Sequence, residues 1–207
     1  MKTKLQQYKL ILWDFDGVII ESNKVREIGF RKVLEEFPEE QVQELIKFHN
    51  LNGGLSRYVK FRYFYEVICK VGISEQKVQQ LADSFSKIML KVLGSKNHLI
   101  AETIKFIESN SHSIEMNIVS GSDQNELRIL CSKLDIIKNF KSIYGSPTTK
   151  NTLVADSIKE SKFQNGEICL IGDSMNDYEA ATLNKIDFYG FNNAELKRIG
   201  NYIETFN

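Results

Sequence analysis

LILWDFDGVIIE, residues 10–21, runs an apolar segment into two aspartates one residue apart and then resumes the apolar run. Asp-Gly between apolar stretches is the usual sign of a tight hairpin turn. A turn at Asp16-Gly17 accounts for Asp16 but gives no reason for an acid at Asp14. The rest of the chain has to explain two negative charges at the mouth of a strand that is apolar throughout.

Working outward, Tyr8 to Trp13 has the length and composition of a short buried strand. From Asn23 to about Leu93 the period changes. NKVREIGFRKVLEEF, EEQVQELIKFH, SRYVKFRYFYEVICKVG and SEQKVQQLADSFSKIMLKVL carry apolar residues at helical spacing, with Pro38, Gly53-Gly54 and Gly72 between them. After Gly94-Ser95 strands and helices alternate: a helix at 99–108, a strand at 116–119 ending in SGSD, and a helix at 124–134. A strand at 142–144 ending in GSP, a helix at 151–160, a strand at 168–171 ending in GDS, a helix at 177–183 and a strand at 188–191 complete the series. Such alternation predicts an α/β fold with a parallel sheet, helices on both faces and ligands at the carboxyl ends of the strands. The expected organisation is an α/β core from residues 1–20 and 97–207, with a helical cap, residues 21–96, inserted after the first strand.

Composition narrows the function classes. The chain has 207 residues, of which 42% are hydrophobic, enough for a sizeable core. Lys plus Arg and Asp plus Glu both number 27, which argues against a broad nucleic-acid or anionic-membrane surface. No apolar run approaches the roughly 20 residues of a bilayer span, and MKTKLQQYKL lacks the pattern of a secretory signal. Cys69, Cys131 and Cys169 are widely spaced, without a Cys-x-x-Cys pair, and read as reduced thiols of a cytoplasmic protein, Cys169 as buried filler. Nothing in the sequence sets an oligomeric state.

Four strand ends share one edge of the expected sheet. They carry Asp14 and Asp16, then Ser120-Gly121-Ser122, then a segment leading to Lys150, then Asp173 with Asp177 close behind. Carboxylates crowded together repel unless a cation sits among them. Hard oxygen donors without neighbouring His or Cys point to Mg²⁺. A serine hydroxyl, free backbone N–H groups and an ammonium suit phosphate oxygens, and the combination specifies phosphoryl transfer.

DFDGV, IVSGSD, the lysine of GSPTTK and IGDSMND, in that order and each closing an apolar run, resemble the four motifs of the haloacid dehalogenase superfamily. The helical segment falls where that superfamily carries a cap, so the resemblance covers the whole chain. It implies a Rossmann-like core and a Mg²⁺-dependent phosphatase acting on a small phosphorylated metabolite, a sugar phosphate or a phosphoglycolate-like acid. Asp14 corresponds to the nucleophile that forms an aspartyl-phosphate, and Asp16 to the general acid/base. Ser120 and Gly121, with Ser122, correspond to the phosphoryl-binding turn, and Lys150 to the lysine that neutralises Asp14. Asp14, the backbone carbonyl of Asp16, and Asp173 correspond to the metal ligands, with Asp177 in support. Asn151 stands where the family often has proline after the lysine, so Lys141 and Lys159 remain alternatives for that role.

In the helical segment, Gly53 to Arg57 is similar to a turn that faces the catalytic aspartates in related mutases and phosphatases. Arg57 is therefore expected either to grip an anionic group of the substrate or to lie on a solvated helix face. Lys60 and Arg62 read as surface charges, and Tyr58, Phe61, Phe64 and Tyr65 as the core of the cap. Glu21 and Ser22 fall where a hinge or pocket mouth is expected. Four other readings stand beside the phosphatase. A phosphonate hydrolase would need a cap lysine, Lys24 or Lys60, placed to form a Schiff base. A phosphosugar mutase of the same superfamily would carry a cap histidine where Lys24, Val25 and Arg26 stand. A signalling receiver would lack the helical insert. A degenerate phosphate-binding protein would have lost acids that are all present here.

Overall fold

The computed structural model describes residues 4–206; residues 1–3 and 207, the outermost ends of the expected core segments, lie outside the described residues. Six parallel strands, β1 (Leu10–Trp13), β2 (Glu115–Asp123), β3 (Ser142–Ser146), β4 (Ile168–Gly172), β5 (Asp187–Gly190) and β6 (Asn201–Tyr202), form one sheet in the order β3-β2-β1-β4-β5-β6. β1 lies at the centre, paired with β2 through Trp13↔Ile118 and with β4 through Trp13↔Ile171. Its four residues are completely buried. A strand covered on both faces needs no polar alternation, which is why LILW is apolar throughout.

Side chains of successive strand residues point to opposite faces. Ile11 and Trp13 join one core layer with Phe106 and Ile107 of α5 (Ala101–Asn110) and Leu127 and Leu130 of α6 (Gln124–Lys133). Leu10 and Leu12 join the other with Leu153 and Val154 of α7 (Lys150–Glu160) and Ala180 and Ala181 of α8 (Met175–Leu183). The fold is thus a Rossmann-like three-layer core.

Between β1 and α5 stand the four helices of the insert: α1 (Asn23–Val33), α2 (Glu39–Leu51), α3 (Arg57–Tyr63) and α4 (Glu75–Val92). The third runs on into a π-helical turn at Phe64–Ile68. Phe30, Phe61 and Phe85 meet at its centre, with the Phe30 and Phe85 ring centroids 4.5 Å apart. The two passages between insert and core run side by side. Glu21 N–H donates to His98 O at 2.8 Å, and Ile100 N–H to Ile19 O at 3.0 Å.

Several boundaries shift from the sequence reading. α8 begins at Met175 rather than Asp177, because Ser174 caps it and Asp177 reaches back to the Ser174 backbone in a reciprocal capping box. β2 extends to Asp123, and its register against β3 breaks between Val119 and Asp123, over the SGS turn. β6, two residues long, has no counterpart in the sequence reading.

Candidate active site

The carboxyl ends of β1, β2 and β4 and the first turn of α7 converge under the insert. Asp14 and Lys150 are both buried, with Lys150 Nζ 2.8 Å from Asp14 Oδ1. The same ammonium donates to Asp177 Oδ1. The other Asp177 oxygen accepts from the Ser174 backbone N–H at 3.0 Å and from its hydroxyl at 2.6 Å. Lys141 instead pairs with Glu115 at 2.8 Å, away from this cluster, and Lys159 is exposed.

Oxygens of Asp14, Asp173 and Asp177 all lie within 4.8 Å of one another. Burial, reinforced by Asp177, pushes the Asp14 carboxyl well up and outweighs Lys150; the same two causes, burial first and Asp177 next, raise Asp173. Burial also opposes the Lys150 charge, but Asp14 and Asp177 outweigh it and hold the ammonium above the usual lysine value. Three acids faced by one ammonium leave a deficit that a hard divalent cation fits, and the donors are oxygen only. Gly17 makes the crowding feasible. It has φ +75°, and a Cβ there would lie 2.0 Å from Asp173 Oδ2.

Ser120 is buried, and its Oγ accepts the Ser122 N–H at 3.1 Å. A Cβ on Gly121 would meet the Gly54 carbonyl oxygen at 2.4 Å. The insert loop at Gly53-Gly54 and the strand-end turn therefore approach as closely as backbones can. Ser122 Oγ donates to Asp16 Oδ2 at 2.6 Å.

Asp16 is engaged on both oxygens. Ser22 Oγ and Arg26 Nε donate to Oδ1, the arginine at 2.9 Å. Burial would raise its pKa, but the Arg26 guanidinium and the hydrogen bonds from Ser122, Ser22 and Arg26 outweigh burial and lower it to about 2.

The insert side differs from the sequence expectation. Arg57 lines the cavity and is 4% exposed, but its Nη1 donates to Glu126 Oε2 at 2.5 Å and to Ser86 Oγ at 2.7 Å. Lys60, expected on the surface, is 2% exposed, with Nζ 2.9 Å from His49 Nδ1 and 3.1 Å from Gly53 O. The face of α3 that carries it is turned toward the core, and the insert closes over it. Arg62 does lie outside, paired with exposed Glu75. Phe61 and Phe64 are core, while Tyr58 reaches across to Asp123 Oδ2 at 2.8 Å. Glu21 accepts from Asn192 at 3.0 Å, beside the passage to the insert.

Sequence reasoning missed Arg26, His49 and Glu126, which line or close this cavity. Arg26 stands at helical spacing from Ser22, whose backbone oxygen accepts its N–H at 2.8 Å, a local signal that could have placed it over Asp16. The cavity is narrow, about 30 Å³, room for very few water molecules.

Residues 11–191 match the haloacid dehalogenase-like hydrolase family, and the chain belongs to it. Among solved structures it resembles β-phosphoglucomutase of Clostridium difficile, with TM-score 0.78 and 16% identity over 97% of this chain and 92% of that one. It also resembles a predicted phosphoglycolate phosphatase of Haemophilus somnus, with TM-score 0.73 and 14% identity over 97% and 95%. A third is the HAD-hydrolase YfnB of Bacillus subtilis, bound to magnesium, with TM-score 0.71 and 16% identity over 96% and 95%. No curated protein matches in sequence. Among the described residues, no helix is long and apolar enough to cross a membrane.

Proposed function

We propose that this chain is a Mg²⁺-dependent phosphatase of small phosphate monoesters, working through an aspartyl-phosphate on Asp14 in a cytoplasmic setting. The observation that carries the reading is the buried Asp14–Lys150 pair at 2.8 Å beside two further carboxylates. Lys150 holds Asp14 in place and favours its charged form against burial, and Asp177 with its Ser174 bonds holds Lys150. An Asp14 oxygen attacks the phosphorus, and the P–O bond to the leaving group breaks. Ser120 Oγ and the Gly121 N–H steady the transferring phosphoryl oxygens. Asp16, once released from Arg26, protonates the leaving oxygen and then takes a proton from the water that hydrolyses the acyl-phosphate. Asp14, the Asp16 carbonyl and Asp173 would hold Mg²⁺, with Asp177 behind them. Bound there, the ion would neutralise acids and phosphoryl oxygens together.

Residues 21–96 act in this reading as a cap domain over a core of 1–20 and 97–207, moving about the paired passages at Ile19–Glu21 and His98–Ile100. Hydrolysis of p-nitrophenyl phosphate tests the proposal. It should require Mg²⁺ and vanish in Asp14→Asn, and turnover that survives chelation would rule it out.

The likeness to a β-phosphoglucomutase favours a second reading, a phosphosugar mutase using the same Asp14. A mutase returns the phosphoryl group to its sugar and releases little inorganic phosphate. Free phosphate accumulating in step with substrate loss separates the two.

A further inference from the structure

Glu126 sits in the first turn of α6, directly behind the SGSD turn, with a fully buried side chain. Two guanidinium groups from the insert converge on it: Arg26 from α1 on Oε1 and Arg57 from α3 on Oε2. Arg26 spends its remaining nitrogens on Asp16 and on Ser122 Oγ, the latter at 2.8 Å. Arg57 lies 4.6 Å over the Phe85 ring and holds Ser86. The two positive charges that the insert turns toward the phosphate site are thus matched by two carboxylates, Glu126 and Asp16.

The other groups on this wall are uncharged or only partly charged at neutral pH. Burial and the Lys60 charge lower His49 to about 3, and burial lowers Lys60 to about 7, despite an opposing contribution from Asp16. Lys60, His49 and the Gly53 carbonyl offer hydrogen bonds, and Phe30 and Phe85 offer aromatic faces.

Resting on the phosphatase reading above, we infer that Glu126 makes this site select monophosphates of uncharged, hydroxyl-bearing alcohols or sugars and reject diacids and bisphosphates. A second anion on the substrate has to draw a guanidinium off Glu126 and leave that buried carboxylate with only one of its two partners, which is costly. A hydroxyl needs only neutral donors and acceptors, which this wall supplies. Arg57 is accordingly a wall of the pocket, already neutralised, rather than a free anion clamp.

Glycerol 3-phosphate and 3-phosphoglycerate share a carbon skeleton and differ by CH₂OH against carboxylate, so they isolate the charge. Binding to Asp14→Asn protein in Mg²⁺ is measured by calorimetry, and turnover of the wild type by phosphate release. The expected preference is at least tenfold for glycerol 3-phosphate in both. Glu126→Gln, which frees the guanidinium groups, should shrink that ratio at least tenfold or reverse it. Equal or tighter binding of 3-phosphoglycerate, or no discrimination of any kind, overturns the inference, and so does a Glu126→Gln protein that scales both esters alike. The unmutated pocket decides the preference even if that variant does not fold. A wild type unable to hydrolyse p-nitrophenyl phosphate contradicts the phosphatase reading instead, while the binding ratio still decides this one.

Discussion

The core wall of the site is made of strand ends, whereas the insert wall is made of helix side chains that meet only in three dimensions. On the core wall, Asp14 and Asp173 stand just past the carboxyl ends of β1 and β4, Ser120 follows the point where the β2 register breaks, and the fully buried strands β1 and β4 fix the spacing. On the insert wall, Arg26, His49, Arg57 and Lys60 come from α1, α2 and α3, and Glu126 of the core ties two of them down. The core wall concentrates more acids than Lys150 alone offsets, and the two guanidinium groups of the insert wall are offset by the core carboxylates Glu126 and Asp16. In the proposed reading the difference divides the labour: the first wall suits a cation and a phosphoryl group, and the second would set which leaving group is tolerated.

Substitutions should separate the walls. The largest effect is expected at Asp14: Asp14→Asn should lower kcat for p-nitrophenyl phosphate by roughly a thousandfold or more. Its melting temperature should not fall, because one of three mutually repelling acids is removed. A stability loss comparable to the activity loss would mean that the pair is structural. Next comes Glu126→Leu, which leaves buried Arg57 without a carboxylate and Arg26 with Asp16 alone, and should cost about 3–5 kcal/mol in urea unfolding. A loss under about 1 kcal/mol would break the contrast between the walls.

Lys60→Met should stabilise the protein by about 1–3 kcal/mol near neutral pH, because a buried amine without a carboxylate partner is replaced by an apolar chain. The sign comes from linkage. Lys60 titrates near 7 when folded and near 10.5 when unfolded, so the unfolded chain binds more protons between those values. Stability from this group therefore rises with pH across that window, and the rise should disappear in Lys60→Met. His49, lowered to about 3 from 6.5, adds stability that is present above 6.5 and lost as the pH falls toward 3. Unfolding scans from pH 4 to 10 read both windows. The smallest effect is expected for Tyr58→Phe, which removes one bond across the walls and should cost about 0.5–1.5 kcal/mol.

The core wall was legible because its residues are local. LILW announces a strand buried on both faces, and the residues just past its carboxyl end have to stand at the edge of the sheet. Lys150 is legible as the candidate with Lys141 and Lys159 as alternatives, and the first turn of α7 puts its Nζ 2.8 Å from Asp14 Oδ1. The insert wall was opaque for a physical reason. Lys60 lies at helical spacing from Arg57 in a basic stretch, and nothing within α3 says that this face is covered by another layer. Glu126 reads as an ordinary acid in a helix's first turn, since Asp123 caps α6 through the Glu126 N–H at 2.9 Å. Only the convergence of α1 and α3 on that carboxylate gives it a role.

The most direct measurement is a rapid acid quench of the protein turning over a phosphate monoester in Mg²⁺, with peptide mass spectrometry of the quenched protein. The account predicts a hydroxylamine-sensitive phosphoryl group on Asp14 that is absent from Asp14→Asn. Substrate consumed with no phosphoryl group on the protein, or with it on any other residue, would contradict the account.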